Sequence, residues 1–257
     1  MANYLKLDED GGIVTVTIDR PDKRNALSVA LRHELREMAE RLDGRDDIAC
    51  VLLTGAGSAF SAGADLSDPH AFGAEVSVAE ARRIARAGPD MCAAWERLRA
   101  LTIAVINGPA IGGAMSLAVS CDFRIMGRDA FFRAPEIDLG LSYTWGSMAR
   151  IGNLVGPARA KLIGALARTV DAECALSWGL CEEVADDPMA AARAMAAEIA
   201  SKPRIAQQMI KESMNRRFAV PDTVYLERGQ LLMLSREPDA NDLQQERLAR
   251  LGREEPR

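Results

Sequence analysis

The chain has 257 residues, 48% of them hydrophobic and 27% charged, which is enough to bury the core of one large α/β domain, or of one domain with an appendage. The net charge of −5 provides no bulk attraction to phosphate backbones or anionic lipids, so nucleic-acid and membrane partners are not expected. No stretch approaches the roughly 18 apolar residues that cross a bilayer, and no secretory leader is recognisable.

Cysteine and histidine usage predicts a cytoplasmic protein without a metal site. The five cysteines are odd in number and widely spread, and several lie in apolar runs, as Cys50 does. This usage is typical of reduced thiols in a protein core rather than of a disulfide framework. His33 and His70 are far apart in the sequence, so no metal-ligand spacing is present.

Strands and glycine-rich turns alternate through the first half of the chain. Apolar, β-branched patterns predict strands at residues 12–18, 48–54, 102–106 and 123–126, with another near Phe131. Helical periodicity predicts helices at residues 28–44, 78–87, 89–101 and 113–120. The first of these has Ser28 as its N-cap and ends at Gly44. The polar, turn-rich segment 67–76 is a candidate mobile loop.

The remainder of the chain is predicted to be almost entirely helical. The predicted helices are residues 158–165, 172–178, 188–200, 203–215 and 220–235. The strand, glycine turn and helix recur several times before this region, which favours a layered or coiled α/β arrangement. We therefore expect the chemistry in the first 150 or so residues and a packing role for the helices.

Two glycine-rich loops are candidates for binding a ligand through the backbone. The loop at 55–60 does not fit a dinucleotide site, because Phe60 stands where the third glycine would be, and no Walker phosphate loop occurs. The loops at 61–65 and 112–115 instead carry tiny side chains that let a substrate approach main-chain N–H groups. Two such groups converging on one oxygen would stabilise an oxyanion. The alternative is that these glycines serve only tight turns.

Four segments in order resemble the crotonase superfamily, that is, the enoyl-CoA hydratase/isomerase family. They are residues 18–28, 52–65, 104–115 and 134–141. The resemblance implies a spiral of ββα units with a helical C-terminal region, divided here as a core at 1–195 and a helical region at 196–257. It also implies an acyl-CoA or enoyl-CoA substrate and a homo-oligomer, a trimer or hexamer.

The same resemblance assigns roles to individual residues. Ala64 and Gly113 match the two backbone donors of the oxyanion hole, and Glu136 matches an acid/base. No separate cofactor or metal is implied, because coenzyme A is part of the substrate. The residues that match the coenzyme A-binding positions, or lie between them, are Lys23, Arg24, Ala26, Ala62, Ala64, Asp65 and Leu66.

One departure from the family pattern bears on the reaction. Hydratases of this family use two glutamates, but the first position is Ser116 here and only Glu136 remains. A serine at its ordinary pKa does not activate water as a general base, whereas one glutamate suffices to shuttle a proton in Δ3-to-Δ2 double-bond isomerisation. Isomerisation is therefore the favoured prediction. The alternatives are hydration with a water held by Ser116, and an acyl-CoA-binding protein with weak catalysis.

Four residues close to Glu136 in the sequence receive more limited interpretations. Thr144 occupies a place where some relatives with hydrolase, dehalogenase or dienoyl isomerase activity carry an aspartate, so those activities are not expected. Asp138 is interpreted as structural. Tyr143 and Trp145 either wall the acyl pocket or pack in the core.

Overall fold

The computed structural model describes residues 4–69 and 76–218, with single helical positions at 242, 246 and 249. The strands are β1 (Leu5–Asp10), β2 (Ile13–Ile18), β3 (Cys50–Gly55), β4 (Leu101–Ile106), β5 (Ala110–Ile111), β6 (Phe123–Gly127), β7 (Phe131–Arg133), β8 (Val170–Asp171) and β9 (Glu183–Ala185). The helices are α1 (Val29–Asp43), α2 (Val78–Arg97), α3 (Gly113–Ala118), α4 (Ser147–Val155), α5 (Pro157–Leu166), α6 (Ala172–Trp178), α7 (Pro188–Ala200) and α8 (Arg204–Arg217). Short 3₁₀ helices cover Pro21–Lys23 and Pro135–Leu139.

Six strands form the main sheet in the order β1-β2-β3-β4-β6-β9. The first two are an antiparallel hairpin, and every later neighbour is parallel. Parallel neighbours require crossover connections, and α1 and α2 supply them between β2 and β3 and between β3 and β4. A second, smaller sheet has the order β5-β7-β8. This mixture confirms the predicted α/β class.

Both faces of the main sheet are covered. In β3, Val51 and Leu53 belong to the large core shared with α1, α2 and α3, whereas Cys50 and Leu52 face a second cluster that includes residues of α7. Side chains alternate between the two faces of a strand, so a strand buried on both sides needs an unbroken apolar run. This arrangement explains the sequence of the predicted strand at 48–54.

The capping prediction for the first helix is confirmed. Ser28 has extended backbone angles and its side chain accepts a hydrogen bond from the Leu31 N–H, while Gly44 is the C-cap of α1. Leu31, Leu35 and Leu42 are buried along one side of the helix. The capping residues and the stripe of apolar side chains therefore indicate the same first and last residues for α1.

The prediction of two helices separated at Pro89 is wrong. Residues Val78–Arg97 form one helix with Pro89 inside it, and β4 begins at Leu101 within the predicted second helix. A proline in a helix interior removes a hydrogen bond and costs about 3 kcal/mol. Burial of Met91 and Trp95 on the same helix face offsets that cost, which the local sequence rule does not register.

Some elements were not predicted, and some predictions lie outside the described residues. The edge strand β1 was missed because five of its six residues are exposed, and α4 was also missed. The short strands β5, β8 and β9 were missed too, and the last two interrupt a region that was predicted to be almost entirely helical. The predicted helix at 220–235 lies outside the described residues, as does most of the candidate loop at 67–76.

The helical C-terminal region is present as far as the structure describes it. The α7 helix packs on the main sheet and spans the predicted boundary at 195/196, so that division stays a prediction. In α8, the buried Lys211 Nζ donates to Ala100 O at 2.9 Å and to Asp122 Oδ2 at 2.6 Å. These bonds fix α8 to the start of β4. All five cysteines are free thiols, and four of them are buried.

Candidate active site

Two glycine loops meet at the start of α3. Ser61 N donates to Pro109 O and Ile111 N donates to Ser61 O, so the segments around residues 61 and 110 run side by side. A Cβ atom on Gly63 would overlap the Ile111 carbonyl oxygen and would lie 3.4 Å from Gly113 N. The close approach of the two loops therefore depends on glycine at position 63, where φ is +83°.

Ala64 and Gly113 lie at this junction, and neither N–H group donates a hydrogen bond to another of the described residues. Three neighbouring N–H groups are engaged: Gly63 N donates to Ser61 Oγ, Asp65 N to Leu27 O, and Gly112 N to Arg133 O. Gly113 is the first residue of α3, so its N–H has no partner within the helix. The structure thus places Ala64 and Gly113 on adjoining loops, and their part as the two donors of an oxyanion hole stays a prediction.

The Glu136 carboxyl group lies against the same glycine turn, at Gly112. A Cβ atom on Gly112 would lie only 2.6 Å from Glu136 Oε1, and Glu136 Oε2 is sealed from solvent with no hydrogen-bond partner in the described structure. Burial raises the pKa of Glu136 to about 7, and the nearby charge of Asp138 acts in the same direction. A carboxyl group with a pKa near neutrality is able both to take and to return a proton.

Ser116 is held in a chain of hydroxyl groups. Ser116 Oγ lies 2.6 Å from Ser147 Oγ and 3.1 Å from Tyr143 OH, and Tyr143 OH donates to Gly112 O at 3.0 Å. The Ser147 hydroxyl also lies 2.5 Å from Thr144 O, which can only accept. Burial raises the pKa of Tyr143 well above 10, with Glu136 adding to the effect, so the phenol stays neutral. The place of the first glutamate is therefore occupied by neutral hydroxyls.

Tyr143 and Ser147 are site residues whose contact with Ser116 the sequence did not reveal. Both follow Glu136 closely in the chain, but their spacing carries no motif. Trp145, between them, lies against Gly113. The only feature of the sequence that is related to this contact is that residues 88 and 113, which make room for the Trp145 ring, are both glycine.

The predicted coenzyme A-binding residues fall on adjoining loops. Ala62 N donates to Arg24 O at 2.8 Å, which joins the loop around residue 24 to the loop around residue 62. Lys23, Arg24 and Leu66 are exposed, whereas Ala26 is buried. This arrangement places two cations beside the exposed surface next to Ala62.

Asp65 and Asp138 already have side-chain partners. Asp65 Oδ2 lies 2.6 Å from Arg20 Nη1, and the other carboxylate oxygen accepts a hydrogen bond from Ser67. Both oxygens therefore have partners within the protein, and the role of Asp65 in coenzyme A binding stays a prediction. Asp138 is exposed and pairs with Arg133 at 3.0 Å.

In the described residues, no cluster of three or more His, Cys, Asp or Glu side chains is placed to hold a metal ion. No described helix is long and apolar enough to span a membrane.

Comparison with known proteins defines the class of this chain. A family model for enoyl-CoA hydratase/isomerase matches residues 8–250, and the chain belongs to that family. It is 37% identical over 233 residues to "Probable enoyl-CoA hydratase EchA14" of Mycobacterium tuberculosis, covering 90% of this chain and 89% of the relative. It is 33% identical over 217 residues to the short-chain-enoyl-CoA hydratase of Clostridium acetobutylicum, covering 83% and 82%.

Solved structures give the same result. An enoyl-CoA hydratase/isomerase from Mycobacterium paratuberculosis superposes with a TM-score of 0.87 at 25% identity, covering 96% of this chain and 99% of that one. The enoyl-CoA hydratase from Bacillus anthracis superposes with a TM-score of 0.79 at 30% identity, covering 90% of each chain. The crotonase-like fold predicted from the sequence is confirmed, and the protein is an enzyme of the hydratase/isomerase family.

Proposed function

We propose that this enzyme isomerises the double bond of a 3-enoyl-CoA thioester to the conjugated 2-enoyl position, with Glu136 as the proton shuttle. The observation that carries the proposal is the buried Glu136 carboxyl group, which has an unpartnered oxygen and a pKa of about 7, beside two free backbone donors. In this arrangement the acid/base and the oxyanion hole flank a single glycine turn.

The reaction needs three events at this site. The thioester oxygen accepts hydrogen bonds from the Ala64 and Gly113 N–H groups, so charge that develops there is stabilised by about 3 kcal/mol per good donor. The Glu136 carboxylate removes a proton from C2, and the electrons move onto the thioester oxygen as a dienolate. The protonated Glu136 then returns a proton at C4 and regains its negative charge.

The hydroxyl chain supports isomerisation over hydration. Adding water requires a base to activate it, and Ser116 is bonded to two other neutral hydroxyls rather than to a carboxylate or histidine. Hydration remains the second candidate, because the relatives named above are called enoyl-CoA hydratases. In that reaction Ser116 would hold a water molecule and Glu136 would be the only ionisable catalytic group.

We assign the coenzyme A moiety to the surface formed by the two joined loops. Lys23 and Arg24 are exposed cations suited to phosphate groups, and Ala62 and Leu66 lie on the adjoining loop. This places the thioester end of the molecule toward Ala64. No metal or redox group is required by the reaction.

The test is isomerisation of a 3-enoyl-CoA in heavy water, with wild type beside Glu136→Gln. We expect formation of the conjugated product with deuterium incorporation, and loss of both in the variant. Loss of enoyl absorbance on addition of crotonyl-CoA, without isomerisation, would favour hydration. Turnover that survives in the variant would exclude Glu136 as the base. Binding of the thioester with no reaction or exchange would indicate an acyl-CoA-binding protein.

We also infer a homo-oligomer, a trimer or hexamer. Apolar side chains that are 51–65% exposed on the isolated chain lie on and just after α8: Ile205, Met209, Ile210, Met214 and Phe218. Such a patch is typical of an interface. Light scattering should give a mass of at least three chains, and Ile210→Asp should reduce it; a monomeric wild type would contradict the inference.

A cytoplasmic location is a separate proposal, supported by the five unpaired cysteines. Fractionation of the source cells tests it, because recovery with the secreted or envelope proteins would contradict it.

A further inference from the structure

Trp145 contacts the proposed oxyanion-hole glycine but has no part in the proton transfers. A Cβ atom on Gly113 would lie 2.5 Å from Trp145 Cη2, and a Cβ atom on Gly88 would lie 2.5 Å from Trp145 Cζ2. The six-membered ring of the indole therefore lies between the Cα atoms of Gly88 in α2 and Gly113 in α3. Any side chain at either position would displace it.

The indole is held from several directions. Trp145 has a positive φ of 65°, and its carbonyl oxygen accepts from Arg150 Nη1 at 2.9 Å. Arg150 also pairs with Glu96 on α2 through two bonds, at 2.9 and 2.8 Å. The Arg32 guanidinium lies 5.1 Å from the ring centroid, and Arg32 Nε donates to a backbone carbonyl. These contacts make Trp145 a fixed wall rather than a movable lid.

We propose that Trp145 sets the acyl-chain specificity of the enzyme by closing the acyl pocket beside Gly113, so that its substrates are short-chain acyl-CoA thioesters. The inference rests on the proposed function, since it assumes a thioester oxygen on the Gly113 N–H. A thioester bound there has its C2 and C3 atoms near the Cα of Gly113, against which the indole packs. The ring also fills the space between Gly88 of α2 and Gly113 of α3, so an acyl chain that runs past Gly113 toward Gly88 meets the indole.

The test measures binding of saturated butyryl-, hexanoyl- and octanoyl-CoA by calorimetry, which requires no turnover. Wild type should bind octanoyl-CoA about tenfold or more weaker than butyryl-CoA, since each methylene that does not fit a pocket alters affinity strongly. Trp145→Ala should remove this preference, and Trp145→Phe should weaken it. Trp178→Ala is the matched control, because Trp178 also lies beneath an arginine, at 5.3 Å, but on α6.

The outcomes separate this inference from the proposed reaction. The inference about Trp145 would be supported if the wild type prefers short chains, Trp145→Ala or Trp145→Phe relaxes that preference, and Trp178→Ala preserves it. This result would count even if no isomerisation were seen. Equal affinity of the wild type for butyryl- and octanoyl-CoA would overturn it, and so would an unchanged preference in the folded Trp145 variants. Failure of folded wild type to bind any acyl-CoA would overturn both proposals.

Discussion

Gly112 has no side chain where the carboxyl group of Glu136 lies, since a Cβ atom there would come within 2.6 Å of Glu136 Oε1. The two residues come from different elements, the turn before α3 and the 3₁₀ helix at Pro135–Leu139. Their close approach places the carboxyl group beside the residue that precedes Gly113. The absence of a side chain at 112 is therefore part of the site.

Gly112→Ala should abolish most activity by displacing the Glu136 carboxylate. Gly11→Ala is the matched control, because Gly11 has the same φ of +55° but open space around its Cβ position. Both variants should lose about 1 kcal/mol of stability from backbone strain. Only Gly112→Ala should lose kcat by about 100-fold or more. Equal kcat values in the two variants would contradict the positional role of Gly112.

The pH dependence of isomerisation should follow the ionisation of Glu136. Proton removal from C2 needs the carboxylate form, so kcat/KM should rise with pH and level off above about 7. Steady-state rates from about pH 5 to about pH 9 provide the measurement. A rate that falls as the pH rises through 7 would mean that Glu136 acts first as an acid.

Glu136→Gln should change the pH dependence of stability. The pKa is raised from 4.5 to about 7 in the folded protein, so the folded state holds this proton more tightly than the unfolded state. The wild type therefore loses up to about 3 kcal/mol as the pH rises from 4.5 through 7, and the variant does not. Urea unfolding at about pH 5 and about pH 8 should show the difference between the two proteins widening at the higher pH. A constant difference would contradict the raised pKa.

Tyr143→Phe should destabilise the protein by about 1 kcal/mol, because it removes the hydrogen bonds of the phenol to the Gly112 carbonyl and the Ser116 hydroxyl, each of which keeps one other partner. Ser147→Ala should lose a similar amount. Because each single variant leaves the Ser116 hydroxyl one of these two partners and the double variant removes both, the double variant should lose more than the sum of the single losses. Strict additivity in urea unfolding would show that the hydroxyls do not act as one chain.

Gly88→Ala should destabilise the protein by about 1–3 kcal/mol, although alanine normally favours a helix. The added Cβ would overlap the Trp145 ring, so the ring or α2 must move. Gly152→Ala in α4 is the control, because nothing lies within 4 Å of its Cβ position, and it should gain about 0.5–1 kcal/mol. A stabilising Gly88→Ala would show that Trp145 does not need the space above Gly88.

Most of the strands and helices could be predicted because their signals are local. The apolar run of β3 and the Ser28 cap of α1 each lie within a few neighbouring residues. Pro89 misled the prediction for the opposite reason, since the packing that keeps α2 continuous comes from Met91 and Trp95 meeting the rest of the core. Backbone preference at one residue was outweighed by burial elsewhere on the helix.

The sequence by itself determined most of the strands and helices, the family, and the identity of Ala64, Gly113 and Glu136 as candidate site residues. Only the tertiary structure decided the surroundings of those residues: the Glu136 carboxyl group against Gly112, Ser116 bonded to Tyr143 and Ser147, and Trp145 between Gly88 and Gly113. These contacts join residues from separate elements, some more than 50 positions apart. Their geometry is set by how the sheet and helices pack, and no local pattern in the chain encodes it.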